Sequence, residues 1–350
     1  MADPVSVLGY ATAVPPYVLK QLQVAERMRG VFPRAFSRYP GLADVFVNAG
    51  IERRYSVRPL DWFDAPHGWS ERTEAYLEGA DALFIEAAKK ALKRAKISAR
   101  DVDVIVTVSS TGIATPSIEA RVGRRMGFRP DVSRIPIFGL GCAGGVSGLA
   151  IGSRLARAKP GDVVLVVVIE LCTLSFRRDR GTKADVIASA LFGDCAAAAL
   201  LRAGGKCRDI QIGTAHEHLW PGTLDVMGWS VDPIGFGIVL SRSLPRFVEE
   251  RLATPARRFL KSEKLSGSTR FICHPGGAKV LAAVESAFKL KSGTLADERA
   301  VLRDFGNMSA PTVLFVLERA LDRGFSGPAI LSALGPGFTA SFLAVEIANG

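Results

Sequence analysis

Short apolar runs alternate along this chain with stretches of helical periodicity. Glu71 to Ala95 has good helix formers with apolar positions on one face, and the run Asp101–Val108 that follows predicts a strand. A helix over Ser117 to Met126 comes next, then an apolar strand Ile135–Leu140, a helix Val146 to Ala158 and a strand Asp162–Ile169. The alanine-rich run Asp194–Leu200 and a Gly204-Gly205 break end this first series. The second series opens with a strand at Asp209–Thr214. Ile238–Leu240 then leads to a helix at Leu244 to Phe259, and Arg270–Cys273 to a helix at Ala278–Phe288. A helix Ala310 to Arg323 and strands Pro328–Ser332 and Phe342–Ile347 close the chain. The glycine- and proline-containing stretches 15–16, 65–69 and 221–237 read as loops.

Near-continuous apolar strands separated by helices predict an α/β protein whose sheets are covered on both faces. Both series share one rhythm: an apolar element, a glycine-containing turn carrying a polar residue, then a helix. That rhythm predicts two related halves, residues 1–205 and 206–350.

Composition narrows the class. The chain has 350 residues, 48% of them hydrophobic and 23% charged, which is ordinary for a globular protein with a sizeable core. No run reaches the roughly 18 to 20 apolar residues of a membrane helix, and the Met-Ala-Asp-Pro start lacks the features of a signal peptide. The expectation is a soluble cytoplasmic protein. The net charge of +11 raises the question of nucleic acid, but the basic residues are scattered and not interleaved with aromatics, so no nucleic-acid partner is expected. A basic surface equally suits a polyanionic small molecule such as a coenzyme A thioester. Five cysteines, odd in number and without C-x-x-C spacing, and four histidines predict neither a disulfide framework nor a metal site. His216 and His218, two apart, read as solvated or internally satisfied.

Three polar residues stand at the ends of apolar elements. Cys142, in Gly141-Cys142-Ala143-Gly144-Gly145, lies on a strand-to-helix turn where backbone N–H groups and the helix dipole favour a thiolate. A buried structural cysteine fits that segment equally well. His274 ends the strand Phe271–Cys273 and precedes Pro275-Gly276-Gly277; Asn307 stands in Phe305-Gly306-Asn307-Met308-Ser309 just before a helix. Singly, the histidine fits a satisfied structural role and the asparagine a turn or helix cap. As a set they make chemical sense: an imidazole takes the thiol proton, and His and Asn donate hydrogen bonds to an oxyanion.

The segments Gly141–Gly145, Leu191-Phe192-Gly193-Asp194, His274-Pro275-Gly276-Gly277, Gly306-Asn307-Met308-Ser309 and Gly335-Pro336-Gly337 resemble the type III polyketide synthases, the chalcone synthase superfamily, in a bacterial-type form. The resemblance implies a thiolase-like αβαβα five-layered fold with two pseudo-repeated halves, and a homodimer. It implies that Cys142 takes an acyl group from a coenzyme A starter and pairs with His274 as thiolate and imidazolium. His274 and Asn307 then stabilise the enolate formed as malonyl-CoA loses carbon dioxide. No metal and no cofactor beyond the coenzyme A thioester substrates is implied.

By position, the resemblance assigns the pocket to Cys172, Ser175, Gly228, Ile238 and Ser309, with Thr115 on the loop that reaches a partner subunit. Ile238 falls where plant members carry a gatekeeper phenylalanine, which points to a fatty acyl starter and an alkylpyrone- or alkylresorcinol-type product. Cys273 and Cys195, where plant members have alanine and glycine, read as small buried filler. Arg53, Arg54 and Arg58 are candidates for the coenzyme A phosphates, and a solvated basic face is an equal reading. The nearest enzyme rival is a ketoacyl-ACP synthase III-like enzyme making a single condensation. A papain-like protease and a non-catalytic scaffold are the more distant ones.

Overall fold

The strand Val164–Leu171 is buried along its whole length, and its alternate side chains enter two different cores. Val164, Val166 and Val168 join one cluster; Leu165, Val167 and Ile169 join another. A strand with a period of two can fill both only if helices cover both faces of its sheet.

The computed structural model describes residues 4–204, 210–265 and 269–348. Nine described strands form one sheet in the order Arg270–Cys273, Gly327–Gly335, Thr339–Ile347, Ile210–Leu219, Val5–Ala13, Asp194–Ala203, Val164–Leu171, Val104–Val108, Ser133–Ile137. The first four and the last five strands meet through a short antiparallel pairing of Val5 and Ser6 with Ile212 and Gln211. The helix Gly144–Ala158 packs on strands of both groups, so the two parts of the sheet lie on either side of it. The helix Thr312–Asp322 shares that central layer. On the outer faces, Trp69–Ala95 covers the N-terminal strands, while Leu244–Arg251 and Ala278–Phe288 cover the C-terminal ones. These are the five αβαβα layers of the thiolase-like fold. The expected division at residues 205 and 206 lies outside the described residues.

Several elements depart from the sequence reading. The cysteine helix begins at Gly144, preceded by a single 3-10 turn Gly141–Ala143, so two glycines expected in the turn are helical. The strand before it stops at Ile137 and leaves Phe138 exposed. The stretch 221–237, expected as a loop, contributes a hairpin of Met227–Asp232 and Gly235–Leu240. The helix expected over Leu244 to Phe259 breaks into Leu244–Arg251 and Ala253–Ser262. The strand Val5–Ala13, central in the sheet, was not expected at all; its Ser6, Gly9, Tyr10 and Thr12 dilute the apolar signal.

A further cluster lies apart from the layers. Leu19, Val24, Met28, Phe32 and Phe46 from the N-terminal segment pack with Val186 and Ala190 of the helix Lys183–Leu191. Among the described residues no helix is long and apolar enough to cross a membrane.

Candidate active site

The cysteine turn is held from two sides. Ser110, just beyond the strand Val104–Val108, accepts the N–H groups of Gly139 and Gly141 on its hydroxyl at 3.2 and 3.0 Å. Gly141 has φ +49°, and a Cβ there would lie 2.6 Å from the Pro336 ring, so the Gly335-Pro336-Gly337 loop clasps the turn closely. On the helical side, a Cβ on Gly145 would lie 2.2 Å from the Ala310 carbonyl oxygen. The glycine of the cysteine helix therefore lets it touch the segment that follows Asn307.

A chain of contacts joins the three candidate residues. The Ser309 hydroxyl hydrogen-bonds the Cys142 thiol. The Ser309 backbone N–H donates to Asn307 Oδ1 at 2.8 Å, and Asn307 Nδ2 donates to the Gly276 carbonyl at 3.1 Å. Gly276 follows two residues after His274, and its own N–H donates to the His274 carbonyl at 3.0 Å. The Asn307 backbone is fixed in turn, accepting from Gly193 N–H at 3.0 Å and donating to the Leu191 carbonyl at 2.9 Å. His274 is anchored by its N–H on the Ser332 carbonyl at 2.8 Å. Cys142, His274, Asn307 and Ser309 are all buried.

The electrostatics differ from the expected thiolate. Burial pushes the Cys142 thiol up to about 12, against the lowering effect of the Ser309 hydrogen bond. Burial alone pushes the His274 imidazole down to about 3. Both imidazole nitrogens lack a hydrogen-bond partner among the described residues, so no thiol–imidazole hydrogen bond is made. Burial thus favours the neutral thiol and the neutral imidazole over an ion pair. Glu170, at the end of the buried strand, is raised to about 8 by burial even though it accepts the Ser110 N–H at 3.1 Å.

Of the expected pocket residues, Ser309 touches Cys142 directly. Cys172 lies close enough for the two thiols to influence each other, and Ser175 closes the same 3-10 turn by donating to the Cys172 carbonyl at 2.7 Å. Cys172 and Ser175 line a small, largely apolar cavity between this turn and the N-terminal cluster. Ile238 is buried on the hairpin strand that packs against this turn and the helix Lys183–Leu191. Gly228 pairs with Val239 across the hairpin. Thr115 is exposed on its loop and is not brought to the cysteine within one chain. His216 stacks on Phe259 and His218 meets Trp220 edge-on, remote from the site.

The arginine candidates separate. Arg53 pairs with Asp304 at 3.6 Å and Arg58 with Glu78 at 2.5 Å at the surface. Arg54 is 1% exposed and lines the cavity, so it cannot reach a phosphate outside. Cys142, Cys172, Cys195 and Cys273 are buried and free; Cys207 lies outside the described residues. The sequence reading missed Ser110, Glu170 and Trp229, whose indole N–H donates to the Ser110 carbonyl at 2.7 Å. The polar run Ser109-Ser110-Thr111 closing an apolar strand was the available signal.

Comparison with known proteins agrees with this geometry. The profile described as chalcone and stilbene synthases, N-terminal domain, matches residues 67–205, and that of the C-terminal domain matches residues 211–345. The 1,3,6,8-tetrahydroxynaphthalene synthase of Streptomyces peucetius subsp. caesius is 36% identical over 347 residues, covering 97% of this chain and 92% of that protein. A polyketide synthase-like protein of alpha-pyrone synthesis from Mycobacterium tuberculosis is 29% identical over 360 residues, covering 97% and 90%. The crystal structure of 1,3,6,8-tetrahydroxynaphthalene synthase from Streptomyces coelicolor, titled a bacterial type III polyketide synthase, has a TM-score of 0.91 at 26% identity. It covers 99% of this chain and 100% of that one.

Proposed function

Since the chain belongs to the chalcone and stilbene synthase family, we propose that this type III polyketide synthase, an acyltransferase, loads a fatty acyl group from its coenzyme A thioester onto Cys142. It then extends that group with malonyl-CoA and releases an alkylpyrone- or alkylresorcinol-type product. The observation that carries the fatty acyl starter is the cavity behind Cys172, whose walls include Leu19, Val24, Met28, Leu60, Phe63 and Phe176. An alkyl chain buried there gains roughly 0.8 kcal/mol per methylene.

In the loading step His274 takes the Cys142 proton as the sulfur attacks the starter carbonyl, and coenzyme A leaves as the thiol. Proton transfer coupled to attack avoids a buried ion pair in the resting site, which burial disfavours on both partners. Malonyl-CoA then loses carbon dioxide. His274 and the second Asn307 N–H, the one not donated to Gly276, stabilise the enolate oxygen. The enolate carbon attacks the Cys142 thioester, the sulfur leaves, and a chain longer by two carbons is carried as its coenzyme A thioester to reload. Ring closure ends the sequence. Cys142, His274 and Asn307 do this without a metal or cofactor, in a homodimer in which the Thr115 loop meets the partner, in the cytoplasm.

Mass spectrometry of products from purified enzyme, malonyl-CoA and a panel of starters tests this reading. Long-chain starters should give cyclised products after two or more extensions. Product from short or aromatic starters alone would overturn the fatty acyl assignment, and release after one extension would favour a ketoacyl synthase III-like reaction.

A further inference from the structure

A buried cation without an acceptor among the described residues stands in the wall of this otherwise apolar cavity. Arg54 belongs to the short strand Arg53–Ser56, opposite Leu19 of Tyr17–Lys20. Its stem passes beside Gly193 and Gly306, where added Cβ atoms would lie 3.1 and 3.3 Å from the Arg54 Cβ. The side chain is fully buried, and neither Nη1 nor Nη2 has a hydrogen-bond partner among the described residues. Burial lowers its pKa to about 9, so it stays cationic at neutral pH.

The nearest anion does not satisfy it. Asp194 exerts a coulombic pull on Arg54, but its carboxylate accepts the N–H groups of Val57 and Thr173 at 2.9 and 2.8 Å and the Thr173 hydroxyl at 2.6 Å. The hydroxyl protons of the lining are committed as well, Ser175 to the Cys172 carbonyl and Ser189 to the Val186 carbonyl at 2.7 Å. Buried charged donors are ordinarily paired. The terminal nitrogens of a guanidinium form a flat fork that matches two oxygens held side by side.

We propose that Arg54 grips a paired-oxygen group on the chain in the cavity: the enolised 1,3-dicarbonyl of the extending polyketide, or a carboxylate carried by the acyl chain. Both are planar, delocalised anions offering two oxygens to one fork. The inference rests on the polyketide-synthase reading, since each extension of that reaction creates a new 1,3-dicarbonyl. Arg54 then sets how the chain lies, oxygens at the guanidinium and alkyl tail among Leu19, Met28 and Phe63.

Thermal-shift titrations of the wild type, Arg54→Met and Arg54→Lys test this with three probes of equal chain length: an alkane-2,4-dione, a fatty acid and an alkan-2-one. The dione or the fatty acid should bind the wild type, and at least tenfold more weakly both Arg54→Met and Arg54→Lys; the single ketone should distinguish the proteins little. Dione binding that depends on Arg54 identifies the extending chain as occupant, and binding of the fatty acid alone identifies a carboxylate. Should Arg54→Met not fold, Arg54→Lys, which keeps the charge and loses the fork, carries the comparison. Equal binding of dione and fatty acid by wild type and a folded variant overturns the proposal. Turnover gives a second readout: in a folded variant the products of two or more extensions should fall about tenfold, and an unchanged product profile overturns the assignment. A wild type that makes no polyketide from any starter would sink the function instead, leaving the binding result to stand alone.

Discussion

Asn307 and Ser309 are bound to one another across two residues: the amide oxygen of Asn307 accepts the Ser309 N–H at 2.8 Å, and the Ser309 hydroxyl reaches the Cys142 thiol. The orientation of the asparagine amide is thereby fixed from its oxygen side, and its Nδ2 is fixed by the Gly276 carbonyl. One short segment, in which Ser309 has φ +55°, aligns the proposed nucleophile with the residue proposed for the enolate.

Asn307→Asp keeps the acceptor for Ser309 but sets a carboxylate oxygen against the Gly276 carbonyl. Decarboxylation of malonyl-CoA should fall about 100-fold, in line with loss of an oxyanion donor, while acylation of Cys142 persists. Carbon dioxide release and intact-protein mass spectrometry separate the two steps. An equal loss of both would remove Asn307 from its assigned role.

Iodoacetamide should modify Cys142 slowly at pH 7. A thiol pushed up to about 12 by burial gains roughly tenfold in thiolate per pH unit, so the rate should climb through pH 10 without levelling. Cys142→Ala supplies the background for the measurement. A plateau below pH 8 would reveal a thiolate–imidazolium pair in the free enzyme.

Gly145→Ala should destabilise the protein by about 3 kcal/mol or more, because its new methyl would lie 2.2 Å from a backbone oxygen that side-chain movement cannot relieve. Urea unfolding measures this. Within the surviving folded fraction, turnover should fall too, since Ala310 cannot retreat without moving Ser309.

Glu170 links stability to pH. Its folded pKa of about 8 lies above the ordinary 4.5, so between those values the folded state holds a proton that the unfolded state has lost. Its contribution to stability therefore falls as pH rises from about 4.5 to 8. Glu170→Gln should flatten that fall by up to ~4 kcal/mol. Denaturant unfolding at pH 5 and pH 8.5 checks it; an unaltered pH dependence would place the carboxylate's ionisation elsewhere.

Ala188→Phe would fill part of the cavity beside Phe176 and Phe192. The kcat/KM for the longest acyl starters should fall at least tenfold while short starters are spared. A uniform loss would mean that the cavity does not hold the starter.

Much of this is legible in the sequence. Val164–Leu171 and Ala278–Phe288 announce themselves through unbroken apolar content or clean helical periodicity, and Cys142, His274 and Asn307 stand out by their place at element ends. The cavity was hidden because its walls come from sequence-distant segments, the N-terminal residues and the helix Lys183–Leu191, which are linked only by packing. Arg54 looked like one more basic residue in Arg53-Arg54. Strand alternation turns one of the two outward and the other inward, and composition is blind to that difference. Burial opposes the thiolate expected from the turn, and it was hidden for a related reason: the dipole can be read from local sequence, whereas burial by distant segments cannot.

The cysteine turn and the asparagine segment meet in the central layer, between the two parts of the sheet, while the cavity is bounded by a cluster outside the layers. The two parts therefore answer to different packing constraints. Substitutions at Val24, Met28 or Ala188 alter the cavity wall while leaving the Gly145–Ala310 contact untouched, so in the proposed reaction the choice of starter is separable from the chemistry.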